Sequence, residues 1–296
     1  MYNRFLISTY YRFTQRALYL LPLVVGMTRE NMKGIILAGG TATRLFPLTI
    51  TTSKQLLPIY DRQMIFYPLN VLVKAGIKEI LIIVAPDFSG QFLNLLGSIF
   101  EKSDIRLEFR VQSVPRGLAD AFLVGEDFID DDNVTMILGD NIFTDDLSGQ
   151  IKSFESGGRV FAKKVPDPGR FGVVEFDDKM QAKTIEEKPK KWISDYAVTG
   201  LYVYDNEVVK IAKGIKPSDR GEIEITDINN HYLKEKCLDV SLIEGQWLDA
   251  GTFDSLLDAG NIVREMKMKE QFDPIIEAAT KEFNEELKAI AKNKLG

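Results

Sequence analysis

Short apolar runs alternate with amphipathic segments through the first half of the chain. Fully apolar runs predict strands that are buried on both faces, at 34–38, 80–85 and 134–138. Helical periodicity predicts helices over 65–75, 91–100 and 117–128, and strict alternation predicts a strand over 106–112. This succession predicts an α/β fold with a doubly wound parallel arrangement of strands.

The second half has a different pattern. Turn clusters separate short strands predicted at 160–165, 172–176, 183–186 and 196–204, and helices are predicted over 207–213, 224–236 and 252–267. No Gly/Ser-rich or Pro-rich linker divides the two halves. We therefore expect one α/β unit, with a Rossmann-like doubly wound mixed sheet that carries an inserted lobe.

Both ends of the chain differ from this unit. Arginines precede an apolar run at 17–27, but that run is short, contains Pro22 and lacks a small-residue cleavage site. It predicts a disordered extension over 1–31 rather than a membrane span or an export signal. Apolar residues on one helical face predict a helix over 273–294. The predicted domains are thus 1–31 (extension), 32–270 (main domain) and 271–296 (helical tail).

Composition narrows the candidate chemistry. The net charge of −6 argues against a nucleic-acid surface, and no run is long enough to span a membrane. The single cysteine, Cys237, excludes an intrachain disulfide and a cysteine-based metal cluster, and we interpret it as a half-buried helical thiol. The single histidine, His231, excludes a multi-histidine metal site, and we interpret it as structural.

The stretch 34–57, GIILAGGTATRLFPLTITTSKQLL, has the features of an anion site. Gly39 and Gly40 directly follow the first predicted strand, which lets backbone N–H groups approach an anion closely. Two cations, Arg44 and Lys54, follow them and can neutralise a polyphosphate. Neither the P-loop pattern nor the dinucleotide fingerprint is present, so a dinucleotide-dependent oxidoreductase is disfavoured.

Two carboxylates also stand at the ends of apolar segments, Asp140 after VTMIL and Asp249 in QWLDAG. For either residue alone, a structural role as a helix N-cap explains the carboxylate about as well as a functional role does. Together with the anion site they suit a metal-bound polyphosphate, because Mg²⁺ prefers one or two carboxylates with phosphate oxygens and water.

The chain resembles the sugar-1-phosphate nucleotidylyltransferases over residues 32–259. The string LAGG-x-x-TRL-x-P-x-T followed by SKQLLP carries this resemblance, and SKQLLPIYDRQMIFYPL is most similar to the glucose-1-phosphate thymidylyltransferases. The other matching segments are GLADAFLVGEDFI, LGDN, FGVVEF, EEKP, YAVTGLY, RGEIEITDIN and WLDAG.

The resemblance implies a role for each matching position. Catalytic roles fall to Arg44 and Lys54, which would bind the departing pyrophosphate, and to Lys188, which would bind the sugar phosphate. Nucleotide binding falls to Leu37, Ala38, Gly39, Gly40, Gln112, Gly117 and Asp140. The sugar phosphate would lie against Gly172, Glu187, Lys188, Val198 and Tyr202. Asp140 and Asp249 would hold Mg²⁺.

The same resemblance implies dTTP and glucose 1-phosphate as substrates and a homotetramer. The cysteine usage fits a reducing cytosol, and the charge and the lack of a membrane span predict no nucleic-acid or membrane partner. Three positions depart from the family pattern: Ala42 replaces a glycine, Phe171 a tyrosine and Ala250 a threonine. If position 42 requires φ > 0, its Cβ costs roughly 1 kcal/mol.

Two alternatives remain open at this point. The enzyme could use UTP, or N-acetylglucosamine 1-phosphate, in the same reaction. A noncatalytic, ligand-binding paralogue is the other alternative. Ala42 is its only support, whereas the expected functional residues are all present: Arg44, Lys54, Asp140, Lys188 and Asp249.

Overall fold

The computed structural model describes residues 32–40, 42–218, 221–266 and 271–295. The extension predicted over 1–31, and Thr41 of the glycine loop, lie outside these residues. The strands are β1 (Met32–Ala38), β2 (Pro58–Ile59), β3 (Arg62–Gln63), β4 (Glu79–Val84), β5 (Arg106–Val111), β6 (Asn133–Leu138), β7 (Ile142–Phe143), β8 (Gly158–Lys164), β9 (Gly172–Phe176), β10 (Ala182–Glu187), β11 (Tyr196–Tyr204), β12 (Leu238–Leu242) and β13 (Trp247–Leu248). The helices are α1 (Phe66–Lys74), α2 (Ser89–Phe92), α3 (Ser98–Phe100), α4 (Asp120–Val124), α5 (Glu126–Ile129), α6 (Ser148–Lys152), α7 (Glu207–Gly214), α8 (Ile225–Lys234), α9 (Phe253–Glu265) and α10 (Pro274–Leu295).

Within the described residues the main sheet contains nine strands, and it is mixed, as expected. Its longest path runs β10-β9-β11-β6-β1-β4-β5, and β8 and β12 extend it from β11. Strands β6, β1, β4 and β5 pair in parallel, whereas β11 is antiparallel to β6, β8 and β9. Because β11 pairs with β9 near its start and with β6 near its end, it joins the inserted lobe to the parallel strands.

Apolar side chains cover both faces of the sheet. Along β1, Ile36 and Ala38 belong to one buried cluster, and Ile35 and Leu37 to the other. Successive side chains of a strand point to opposite faces, so a continuous apolar run is what a sheet covered on both sides requires. The first cluster includes residues of α1, α9 and α10, and the second includes residues of α4, α7 and α8.

The structure corrects several boundaries. The helix predicted over 91–100 is interrupted by a π-helical turn at Leu93–Gly97, and the one predicted over 117–128 begins only at Asp120 and divides at Gly125. Strand β12, which pairs in parallel with β8, was not predicted. Cys237 is exposed and lies beyond the end of α8, so its interpretation as a half-buried helical thiol was wrong.

The C-terminal helix α10 is docked on the main domain. The Arg62 guanidinium lies 3.8 Å from the centre of the Phe272 ring, and its Nη1 donates to Glu277 Oε1 at 2.9 Å. Ile276 is fully buried and Ala279 is 8% exposed, whereas Leu287 is 47% exposed, so only the first part of the predicted apolar face packs inward. None of the described helices is both long and apolar enough to cross a membrane.

Candidate active site

A cleft of about 490 Å³ opens at the carboxyl ends of β1 and β6 and extends into the lobe built on β9 and β10. Ligands of open α/β sheets bind at this edge. Most of the predicted site residues line it: Leu37, Gly39, Gly40, Gln112, Gly117, Asp140, Gly172, Glu187, Lys188, Val198, Tyr202 and Asp249. Ala38, Arg44 and Lys54 are not part of this lining, and each has a distinct position.

The glycine turn follows β1 without interruption. Ala38 is buried in the sheet as its last residue, and the chain then turns at Gly39 and Gly40. A Cβ on Gly39 would lie 3.1 Å from Gln112 Oε1, so the absence of a side chain allows a close approach here. Ala42 has φ 48° and ψ 38°, which confirms the left-handed conformation expected where the family has glycine.

Lys54 lies outside the cleft lining and contacts both Asp140 and Asp249. Its Nζ lies 2.6 Å from Asp140 Oδ2 and donates to the backbone oxygen of Asp249 at 2.8 Å. The Lys54 side chain is 6% exposed and that of Asp140 is 28% exposed. The carbonyl that Lys54 holds directly precedes Ala250, which is fully buried at φ 38°. Lys54 therefore fixes the turn that presents Asp249.

Arg44 approaches the same turn from the glycine loop. A Cβ on Gly251 would lie 3.0 Å from Arg44 Nη2 and 3.5 Å from Asp249 Oδ2. The Arg44 side chain is exposed and begins in the helical turn Thr43–Leu45. The structure thus gathers Arg44, Lys54, Asp140 and Asp249 at one end of the cleft.

The loop after β5 lies beside the glycine turn and contributes Gln112 and Gly117 to the cleft lining. Gln112 Nε2 donates to Asp120 Oδ2 at 2.7 Å, and both side chains are buried. Gly117 has φ 98°, and a Cβ on it would lie 2.5 Å from the Ile223 carbonyl oxygen. Glycine is therefore required for both the conformation and the close approach.

The lobe supplies the other end of the cleft. Glu187 Oε2 accepts a hydrogen bond from Thr226 at 3.0 Å, and a Cβ on Gly172 would lie 3.3 Å from the same oxygen. Burial, and secondarily the charge of Glu187, raise the pKa of Tyr202, so its hydroxyl stays protonated. Lys188 has φ 44°, is exposed, and donates its backbone N–H to the Phe171 carbonyl at 3.0 Å.

Several residues that sequence reasoning missed organise this cleft. Asn141 Nδ2 donates to Asp140 Oδ1 at 2.9 Å, while its Oδ1 accepts from Gly200 N at 3.0 Å and from Trp247 Nε1 at 2.6 Å. Trp247 packs against Phe171 with ring centroids 5.0 Å apart. Asn141, Trp247 and Thr226 lie in the family-like segments LGDN, WLDAG and RGEIEITDIN, so the resemblance could have indicated them.

The acidic residues fit a metal ion that is shared with a substrate. No group of three or more His, Cys, Asp or Glu side chains positioned to hold a metal occurs among the described residues. Asp140 and Asp249 both line the cleft, and Lys54 contacts both residues. Two carboxylates do not complete a coordination shell, but Mg²⁺ commonly binds through one or two carboxylates plus substrate phosphates and water.

Comparison with known proteins identifies the family. The model of the nucleotidyl transferase family matches residues 33–266. The chain belongs to this family. It is 51% identical over 245 residues to the glucose-1-phosphate thymidylyltransferase of Neisseria gonorrhoeae, covering 80% of this chain and 84% of that one. It is 50% identical over 246 residues to the enzyme of the same name from Mycolicibacterium smegmatis, covering 81% of this chain and 84% of that one.

Solved structures agree with this assignment. A crystal structure of a Bacillus anthracis protein described as a glucose-1-phosphate thymidylyltransferase, in complex with sucrose, is 44% identical with a TM-score of 0.74, covering 79% of this chain and 95% of that one. A UDP-glucose pyrophosphorylase bound to UDP-glucose shares the fold at 24% identity, with a TM-score of 0.69 and covering 79% of this chain and 99% of that one. The resemblance and the nucleotide-diphospho-sugar transferase fold expected from the sequence are confirmed.

Proposed function

We propose that this nucleotidyl transferase transfers a thymidylyl group from dTTP to α-D-glucose 1-phosphate, which yields dTDP-glucose and pyrophosphate. The observation that carries the proposal is the division of one cleft into two ends. Arg44, Lys54 and the two aspartates lie at the glycine-turn end, and Glu187 and Lys188 lie at the lobe end. This arrangement suits a polyphosphate at one end and a sugar phosphate at the other. The relatives named above support the choice of substrates.

The proposed reaction is an in-line attack of a sugar-phosphate oxygen on the α-phosphorus of dTTP. The P–O bond to the β-phosphate breaks, and pyrophosphate leaves with the electron pair. The attacking phosphate is already an anion at pH 7, so the site needs no general base. This agrees with the position of His231, the single histidine, which is exposed on α8 and outside the cleft lining.

Repulsion between two polyanions is the main barrier that the protein must lower. Arg44 and Lys54 would neutralise and orient the triphosphate, and Lys188 would do the same for the sugar phosphate. Glu187, held by Thr226, accepts hydrogen bonds and so suits sugar hydroxyls. Asp140 and Asp249 would hold Mg²⁺, which supplies further neutralisation of the phosphate charge when bound.

A nucleotide-by-sugar-phosphate matrix tests the proposal. Pyrophosphate release is measured with dTTP or UTP against glucose 1-phosphate or N-acetylglucosamine 1-phosphate, with Mg²⁺ and with EDTA. The highest kcat/KM is expected for dTTP with glucose 1-phosphate. No pyrophosphate release is expected with EDTA. A higher value for UTP or the acetylated sugar identifies a different substrate pair. Binding without turnover for all pairs identifies a noncatalytic paralogue.

Lys188→Ala tests the assignment of the lobe end. We expect KM for glucose 1-phosphate to rise at least about tenfold, because one charge-assisted contact to phosphate is lost. KM for dTTP should change little. Lys190→Ala, another exposed lysine two residues along, is the matched control and should leave both constants unchanged. If the two variants behave alike, Lys188 does not bind the sugar phosphate.

We also propose Asp140 and Asp249 as the metal residues. The proposed domains are an extension over 1–31, the catalytic domain over 32–270 and a helical tail over 271–296. The family match over 33–266 supports the domain boundary. Unchanged kinetics and Mg²⁺ dependence in Asp249→Ala would remove the metal assignment. A homotetramer is proposed from the resemblance alone, and light scattering of the purified protein tests the assembly. A cytoplasmic location is proposed from the single cysteine, which fits a reducing compartment.

A further inference from the structure

Asp120 is a buried carboxylate whose position sequence reasoning did not explain. It begins α4, its side chain is 1% exposed, and its Oδ2 accepts from Gln112 Nε2 at 2.7 Å. Arg116 Nη2 lies 2.8 Å from Oδ1 but is not aligned for a hydrogen bond, so it acts there as a nearby charge. A carboxylate this deeply buried is costly unless it is paired. Among the described residues, Gln112 is the one hydrogen-bond donor to the Asp120 carboxylate, and Arg116 contributes a nearby charge.

The chemistry of this contact fixes the direction of the Gln112 carboxamide. An ionised carboxylate only accepts hydrogen bonds, so the amide NH₂ must face Asp120 and the amide oxygen must face away from it. That oxygen lies beside the glycine turn, because a Cβ on Gly39 would be 3.1 Å from it. No described residue donates a hydrogen bond to Gln112 Oε1, and Gln112 lines the cleft.

We propose that Asp120 is a positioning residue that makes Gln112 present a hydrogen-bond acceptor to the nucleobase. The site then favours bases whose ring nitrogen carries a hydrogen, such as thymine and uracil. It rejects cytosine, whose corresponding N3 is itself an acceptor, because two acceptors would be left facing each other. This inference rests on the proposed function, and specifically on the glycine-turn end as the nucleotide site.

The test compares kcat/KM for dTTP and dCTP in Asp120→Asn, Gln112→Ala and the double variant. Asparagine has the shape of aspartate but also donates, so the Gln112 amide can turn over. We expect the dTTP:dCTP ratio to fall at least about tenfold in Asp120→Asn, through KM for dTTP, with KM for glucose 1-phosphate unchanged. In the Gln112→Ala background the same change should alter the ratio by less than about twofold, since Asp120 acts through Gln112.

The matched control is Asp127→Asn, which alters an exposed aspartate on the neighbouring helix α5 and should keep the wild-type ratio. An unchanged ratio in Asp120→Asn overturns the inference. So does an equal fall in the Gln112→Ala background, which would mean that Asp120 is merely structural.

A measurement on the unmodified protein keeps the test independent of variant folding. Calorimetry should show at least about tenfold weaker binding of 3-methylthymidine triphosphate than of dTTP, because a methyl group replaces the ring hydrogen. Equal binding overturns the inference. If the protein binds dTTP but turns over no substrate pair, the proposed function fails. The dTTP:dCTP ratio of dissociation constants in the same variants then replaces the kinetic ratio.

Discussion

Replacing Lys54 by methionine separates the charge of this side chain from its packing. Methionine keeps most of the aliphatic stem and removes the ammonium that bridges Asp140 and the Asp249 carbonyl. Breaking a fully buried pair costs about 3–5 kcal/mol, and a hydrogen bond to a charged group about 1.5–3 kcal/mol. Because the Asp140 side chain keeps 28% exposure, we expect the free energy of unfolding to fall by about 2 kcal/mol.

Lys33 is a matched control at the other end of β1. Its Nζ lies 3.0 Å from Asp132 Oδ2 and donates to two backbone oxygens, that of Phe128 at 2.6 Å and that of Ile129 at 3.5 Å, and its side chain is 15% exposed. Lys33→Met should therefore lose a similar free energy of unfolding. For a chain of 296 residues, a loss of about 2 kcal/mol should lower the melting temperature of either variant by about 3 °C.

Activity distinguishes the two lysines. Loss of one preorganised group that stabilises developing charge typically lowers kcat by about 10²–10³. We expect that loss for Lys54→Met and less than about a threefold change for Lys33→Met. Pyrophosphate release at saturating substrates gives kcat, and thermal unfolding gives stability for the same samples. If Lys54→Met loses stability but keeps kcat within about threefold, then Lys54 is a structural ion pair and its catalytic assignment is wrong.

Three further predictions concern backbone strain, close packing and the tail. Ala42→Gly should be roughly 1–2 kcal/mol more stable than Ala42→Val in chemical denaturation, because a β-branched residue is strained at φ 48°; equal stabilities would contradict this. Gly117→Ala should lower the free energy of unfolding by at least about 2 kcal/mol and raise KM for dTTP, since its Cβ would lie 2.5 Å from a carbonyl oxygen. Gly90→Ala, with open space around its Cβ, should change neither quantity in the same denaturation and kinetic measurements. Arg62→Ala should free the C-terminal helix and speed its cleavage by protease, while Arg106→Ala, which removes an exposed ion pair, should leave the cleavage rate unchanged.

The central strands were predictable because their pattern has one structural solution. A continuous apolar run such as that in β1, β4 or β6 must be covered on both faces, and parallel strands with crossover helices achieve this. The carboxyl ends of β1 and β6 then meet at one edge. This is why residues about one hundred positions apart, Gly39 and Asp140, were expected in one cleft and line it together.

Elements with mixed or short patterns were not predictable in the same way. Strand β12 reads LDVSL, and its pairing with β8 depends on long-range contacts rather than on its own sequence. The segment after Gly117 has helical periodicity, but the positive φ of that glycine and its packing on Ile223 delay the helix to Asp120. Local propensity gives way where tertiary packing fixes the backbone.

By itself, the sequence determined the α/β class, the glycine turn and the residue types that can bind a polyphosphate, since each of these depends on local pattern and spacing. Only the tertiary structure decided how those groups are held. Lys54 pairs with Asp140 across 86 positions, and Asn141 bonds Trp247 across 106. The contact of Asp120 with Gln112 spans only eight positions, yet it depends on burial of a carboxylate beside a strand end. Directional hydrogen bonds between buried groups are set by packing, and a linear sequence contains no direct record of it.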